Sequence, residues 1–337
     1  MSGISGLRAW WWERPPAAGT AVMATAVVSI GLRLAGAETV SLIFLALASV
    51  GWLALGAAFA LRLARRRERW LTEARTPGAL TAVAATAVLG TRFALLGWSV
   101  LAEALLALAA LFWPVLLYVV TRHWGHRMPG AVFLCCVATQ ALAVLAATLA
   151  GTEAVAWLAH TALVLFGVGL LLYGLALPRF DPRELTRGPG DHWIAGGALS
   201  ISALAGARLI AADSPRLYLW NLDDSGVLRD VTVALLVLDL AWYAVLLVAE
   251  LARPRPRYGL GRWATVFSMG MTGATVLAVA AALHVDWLRV PGRVLVWVSF
   301  AVWLAAAAGA VLAARSGTRG GQDDGPEGSG VTSTARR

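Results

Sequence analysis

The sequence predicts an all-α polytopic membrane protein: ten transmembrane helices as five helical hairpins around a central pore, odd helices inside and even helices outside. Three observations lead there. Apolar stretches long enough to cross a bilayer fill the 337 residues almost end to end. Hydrophobic residues make up 59% of the chain and charged residues 14%, with a mean hydropathy of +0.71, whereas an ordinary soluble domain carries about 25% charge. Small and hydroxyl-bearing residues gather in alternate stretches.

A spanning helix needs roughly 20 apolar residues at about 1.5 Å rise each. Such stretches lie at Ala17–Leu34, Thr39–Leu61, Gly78–Leu96, Ser99–Val120 and Gly130–Leu149, then at Glu153–Leu175, Trp193–Ala212, Val227–Leu251, Trp263–Leu283 and Gly292–Ala314. Barrel strands would alternate apolar and polar residues. These runs are continuously apolar, and a backbone in lipid must satisfy its own polar groups, which leaves helix. One transmembrane domain, 17–314, is expected between an interfacial segment, 1–16, and a tail, 315–337. In the first segment Trp10, Trp11 and Trp12 read as an interfacial anchor, with no small-residue cleavage site of a secretory signal behind them. The tail is rich in Gly, Ser, Asp and Arg, a composition expected to be disordered.

Orientation follows from arginine, because the 28 basic residues include no lysine. With both termini cytoplasmic, only Arg33, Arg92, Arg208, Arg216, Arg229, Arg289 and Arg293 fall away from the inner side, in keeping with the positive-inside rule. The expected location is the plasma membrane, multi-pass. The +9 net charge is thereby accounted for by topology, and nucleic acid is not an expected partner.

The odd stretches share a pattern. The first reads Ala24-Thr25-Ala26-Val27 and ends Gly31-Leu32-Arg33; the third reads Ala85-Thr86-Ala87-Val88 and ends Gly90-Thr91-Arg92. The seventh carries Ser200 and Ser202 and ends Gly206-Ala207-Arg208, while the fifth holds Thr139-Gln140 and the ninth Thr272 and Thr275. Even stretches are rich in Leu, Ala and Val, with Trp52, Trp113, Trp157 and Trp303. Hydroxyls around a gap can replace part of an ion's hydration shell, and an arginine in a span is costly unless it meets water or a partner. Thr25, Thr86, Thr139, Gln140, Ser202 and Thr275 are therefore the expected pore lining. Arg33, Arg92 and Arg208 are the expected anion-attracting vestibule. The same small residues also suit plain helix–helix contacts, and Arg92 can pair with Glu103.

Asp239 sits mid-span, where ionisable groups are functional or paired; proton coupling and a bond to a neighbouring helix are its two readings. His123 and His126 lack the companions a metal site needs, and adjacent Cys135 and Cys136 read as core residues. No metal or cofactor is expected. Asp223, Asp224 and Asp230 around Arg229 carry an alternative, a membrane-embedded enzyme, but without a second acidic motif, a phosphate loop or a nucleophile elbow. A non-transporting scaffold or sensor is the third reading.

Four segments carry a resemblance: Val22-Met23-Ala24-Thr25-Ala26-Val27-Val28-Ser29, the third stretch from Thr76-Pro77-Gly78 to Gly97-Trp98, Gly190-Asp191-His192-Trp193 through Ala198, and Arg262 through Met271. In order and across ten spans they resemble the TehA-like tellurite-resistance/C4-dicarboxylate transporter family, whose superfamily includes the slow anion channels of plants. The resemblance implies five hairpins around a pore and a homotrimer with one pore per subunit. It implies passage of small inorganic or organic anions (C4-dicarboxylate, sulfite, tellurite or the halide and nitrate class), either channel-like or proton-coupled. Ala24 and Ala26 replace expected glycines and Ser268 an expected proline. The middle of the fifth helix, Ala138 to Ala147, lacks a phenylalanine, which leaves Gln140 or Leu142 to narrow the throat, or helix packing to close it. The expected function is an integral membrane anion channel or transporter, not an enzyme.

Overall fold

Each apolar stretch folds as a helix, since only intrasegment hydrogen bonds satisfy a backbone surrounded by hydrocarbon. The computed structural model describes residues 15–65, 75–187, 190–213, 222–252, 259 and 261–320. Ten long helices appear: α1 (Pro15–Leu34), α2 (Glu38–Arg65), α3 (Leu80–Leu95), α4 (Ser99–Arg122), α5 (Leu134–Glu153), α6 (Ala156–Ala176), α7 (Trp193–Ala212), α8 (Leu222–Ala252), α9 (Arg262–Ala282) and α10 (Arg289–Gly320). Nine are long and apolar enough to span a bilayer, and the apolar part of α1, Ala18–Leu34, is shorter. The largest departures from the expected boundaries are at α8, which starts at Leu222 rather than Val227, and α10, which runs past Ala314 to Gly320. The expected tryptophan anchor at Trp10–Trp12 and the tail beyond Gly320 lie outside the described residues.

Burial separates two layers. Between 78% and 100% of the spanning windows of α3, α5, α7 and α9 is buried, against 17% to 33% for α2, α4, α6, α8 and α10; α1 is buried along nearly all of Ala18–Leu34. The inner helices touch in a closed order, α1 to α3, α3 to α5, α5 to α7, α7 to α9, and α9 back to α1. Each even helix packs on the odd helix before it and also reaches the odd helix after it. The even helices turn Leu, Val and Phe outward, among them Val50, Leu111, Phe112, Leu171 and Val248, as lipid-facing surfaces require.

The turns explain how successive helices fold back so tightly. Gly36, at φ +89°, stops α1, with the Ala37 N–H bonded to the Leu32 carbonyl at 2.8 Å. Gly97, at φ +87°, stops α3 the same way through Trp98 N–H to Phe93 at 3.0 Å. His284 repeats it after α9, through Val285 N–H to Ala280 at 3.0 Å, and Ala154 stands left-handed after α5. The turns at Gly36, Gly97 and His284 are Schellman-type stops, in which one left-handed residue lets late amides satisfy orphan carbonyls.

At the opposite, arginine-rich ends the links stack backbone on backbone. The Met128 N–H donates to the Arg179 carbonyl at 2.6 Å, and the Asp181 N–H to Met128 at 3.0 Å. A Cβ added to Gly130 would lie 2.1 Å from the Asp191 carbonyl oxygen, and one on Gly190 2.7 Å from that of Gly261. The described residues of the α4–α5 and α6–α7 links thus pack backbone on backbone with each other and with Gly261 at the start of α9. Gly130→Ala should lower stability by about 1–3 kcal/mol, the range for overpacking. Gly174→Ala, with open space around it, should leave stability unchanged or raise it by up to about 1 kcal/mol. Thermal unfolding of the two variants in the same detergent compares them directly.

Candidate functional site

The mid-helix threonines face outward rather than toward the ring axis. Thr25 donates its hydroxyl to the Ala21 carbonyl at 2.8 Å and accepts the Trp303 indole N–H at 3.0 Å. Thr86 donates to Ala82 at 2.7 Å and accepts Trp52 at 2.8 Å. Thr139 donates to Cys135 at 2.8 Å and accepts Trp113 at 2.9 Å. A hydroxyl has one donor and two acceptor sites, so each threonine closes its own turn and still serves an indole. The tryptophan comes each time from the outer helix preceding the inner one: α10 for α1, α2 for α3, α4 for α5. On α9 an aspartate takes that place, with Thr272 Oγ1 3.2 Å from Asp239 Oδ1 of α8.

The other expected lining residues are engaged as well. Gln140 Nε2 donates to the Phe166 carbonyl of α6 at 3.1 Å, under Gly169, where any Cβ would collide with it. Ser202 donates to Ala198 at 2.7 Å. Thr275 donates to the Ser200 carbonyl at 2.9 Å, joining α9 to α7. Ser268, in the place of an expected proline, donates to the Trp193 carbonyl at 2.6 Å, so α9 stays continuous and tied to α7. Trp157 is exposed and belongs to no such pair.

Helical phase then identifies the face toward the axis. At about 100° per residue, positions two before, two after and five after each threonine lie roughly 140–200° away from it. On α1 these are Met23, Val27 and Ile30; on α3, Ala84, Val88 and Thr91; on α5, Val137, Ala141 and Val144. On α7, Gly206 backs onto Thr232 of α8, which turns Leu204 and Arg208 away from α8. On α9, Ala274 lies two after Thr272, and Phe267, five before it, lies roughly 140° away in the opposite sense. Phe267 is fully buried, and its ring edge would meet a Cβ on Gly197 at 2.6 Å. This face is apolar, with Thr91 and Arg208 toward one end.

The three expected vestibule arginines have unequal fates. Arg33 Nη1 lies 2.6 Å from Glu38 Oε2, and Arg92 Nη2 lies 2.8 Å from Glu38 Oε1. Arg92 is fully buried, and its Nε also donates to Ser41 Oγ at 3.1 Å. Glu38, not Glu103, is therefore its carboxylate; Glu103 is exposed. Arg208 is different: its Nε and Nη2 are buried without a hydrogen-bond partner, and it enters no ion pair among the described residues. The sequence offered a missed signal for Glu38, an acid five residues after Arg33 across a glycine turn.

The remaining polar candidates stand apart. The side chains of Asp223 and Asp224 lie outside the described residues, and Asp230 is exposed. Among the described residues no group of three His, Cys, Asp or Glu could hold a metal ion. His123 and His126 are exposed, and Cys135 and Cys136 are buried free thiols. Asp191, just before α7, has its carboxyl pushed above the usual aspartate range by burial.

Residues 13–311 match the family described as voltage-dependent anion channel. The chain is also 31% identical over 141 residues to an uncharacterized membrane protein of Mycobacterium tuberculosis, in strains CDC 1551 and H37Rv. That match covers 40% of this chain and 65% of the relative, so the chain spans about 65% of the length of the curated relatives it matches.

The indole–threonine bonds have a measurable size. A double-mutant cycle of Trp113→Phe with Thr139→Val, read by unfolding in detergent, should return a coupling of about 0.6 kcal/mol and at most about 1.7, the range for hydrogen bonds between membrane helices. The same cycle on Trp157 with Thr139 should return none.

Proposed function

The chain belongs to the voltage-dependent anion channel family, and on that footing we propose that it passes small anions along the axis of the odd-helix ring. The observation that carries the reading is Arg208, half-buried on the axis-facing side of α7, with its Nε and Nη2 buried and without a hydrogen-bond partner among the described residues. The five pairs α1–α2 to α9–α10 then act as hairpins around one bore, odd members inside. With the arginine-rich links in the cytoplasm, both termini are cytoplasmic and Arg208 stands at the outer mouth of a plasma-membrane protein. A focused positive potential there gathers anions and repels cations. Arg33 and Arg92, sharing one carboxylate, add a net single positive charge to that end.

The throat beneath is apolar, built around Met23, Val88, Ala141, Leu204 and Phe267. A hydrophobic constriction closes a pore by excluding water, and Phe267, the bulkiest of these side chains, is the natural plug. Taking an ion out of water costs free energy that grows steeply with its charge. Nitrate and halide are accordingly the favoured cargo, with sulfite, tellurite and C4-dicarboxylates within the same anion class. A homotrimer with one bore per subunit rests on the resemblance of the sequence alone.

Proteoliposomes test the reading. Phe267→Ala should raise nitrate and chloride flux well above wild type. Arg208→Gln should lower that flux on the order of tenfold at low salt, as loss of electrostatic focusing implies, with less effect at high salt. If the Phe267→Ala vesicles move none of nitrate, chloride, sulfite or malate, conduction along this axis is excluded. Glu38→Gln should raise anion flux by unmasking two guanidinium groups, provided gel filtration shows an intact protein.

A further inference from the structure

The seam between α7, α8 and α9 contains more polar atoms than it pairs. Thr265, Ser268, Thr272 and Thr275 recur at intervals of three and four on α9 and so share one face. Three are bonded: Ser268 to the Trp193 carbonyl, Thr272 to Asp239, and Thr275 to Ser200. Asp239 has no exposed surface, and its Oδ2 has no partner. Thr265 Oγ1, Trp193 Nε1 and Trp242 Nε1 are also buried and unpaired. Trp242 backs onto Gly196 of α7, and Trp193 stacks edge-on against Tyr243 at 5.8 Å. All three lie between Asp239 and the arginine-rich end of the helices.

No cation meets the carboxyl. Asp239 enters no ion pair among the described residues. The ionisable groups of α7 are His192 and Arg208, at or beyond its two ends, and that of α9 is Arg262 at its start. On α8 itself Tyr243 lies one turn away. An isolated carboxylate in such a place costs several kcal/mol, whereas a neutral carboxyl needs one acceptor for its proton. Buried polar atoms left by the protein are normally bridged by ordered water.

We propose that Asp239 is a proton-binding site within the membrane, reached from the arginine-rich face through water held along the α7–α8–α9 seam by Thr265, Trp193 and Trp242. A proton from water at that face adds to Oδ2 and leaves a neutral carboxyl. Release returns it by the same column and leaves the carboxylate to Thr272. The column runs on the side of α7 and α9 turned toward α8, away from the ring axis. It depends on none of the atoms assigned to anion passage and stands whether or not the axis conducts.

Infrared difference spectroscopy on the purified full chain in lipid nanodiscs tests it. The wild type should show a protonated-carboxyl band that fades reversibly as pH is raised, shifts in heavy water, and is missing in Asp239→Asn. That variant separates Asp239 from shielded Asp191. Should Asp239→Asn not assemble, Asp239→Glu moves the band and makes the same assignment. Thr265→Val should keep the band but slow its heavy-water shift several-fold. A wild-type spectrum with no band assignable to Asp239 at any pH overturns the proposal. So does a Thr265→Val shift at the wild-type rate.

Discussion

An indole N–H inside a bilayer must be given an acceptor, and the layout of this chain depends on how it gives one. Trp52, Trp113 and Trp303 are met by the threonine of a neighbouring inner helix. Each bond is weak, on the order of 0.6 kcal/mol in comparable bundles. Its importance lies in phase. Turning an inner helix by one residue would strand both a buried donor and its acceptor, so three of the five inner helices are fixed in rotation. Everything on their opposite faces follows from that choice.

Charge is handled by a second local arrangement. A fully buried guanidinium such as Arg92 is tolerable only beside a carboxylate, because an unpaired buried ion is far costlier than a paired one. Glu38 begins α2 directly after the Gly36 turn, and so stands between the ends of α1 and α3 and joins three helices through two arginines. Arg208 stands near the end of its helix in the same Gly-x-Arg pattern that elsewhere leads to a clamp, yet it enters no ion pair among the described residues. A shared Gly-x-Arg pattern therefore yields a strut in two places and, among the described residues, an unpaired guanidinium in the third.

The helices, their alternation between layers and the arginine bias were all legible, because hydropathy and period report burial directly. The direction each threonine faces was not. A small polar residue on a fully buried helix satisfies the same pattern whether it meets a neighbour or a gap, and burial of 94–100% on α9 and α5 erases any one-sided signal. The outer tryptophans held the missing clue, since an aromatic N–H in an otherwise aliphatic helix calls for a partner. Asp239 was half legible: a bond to the next helix was one of its readings, and Thr272 makes it. Glu38 was overlooked because its second arginine is 54 residues away.

The contact between Trp303 and Thr25 bridges 278 positions, and the ring closes only where α9 returns to α1. During synthesis the first helix must therefore wait, its flank lined by lipid, until the last pair has left the ribosome. Contacts between remote parts of a chain are slow to form and leave surfaces open to wrong association meanwhile. Closure of the ring of inner helices is thus the final event of biogenesis, and a chain cut short before α9 would expose α1 to whichever neighbour the membrane supplied.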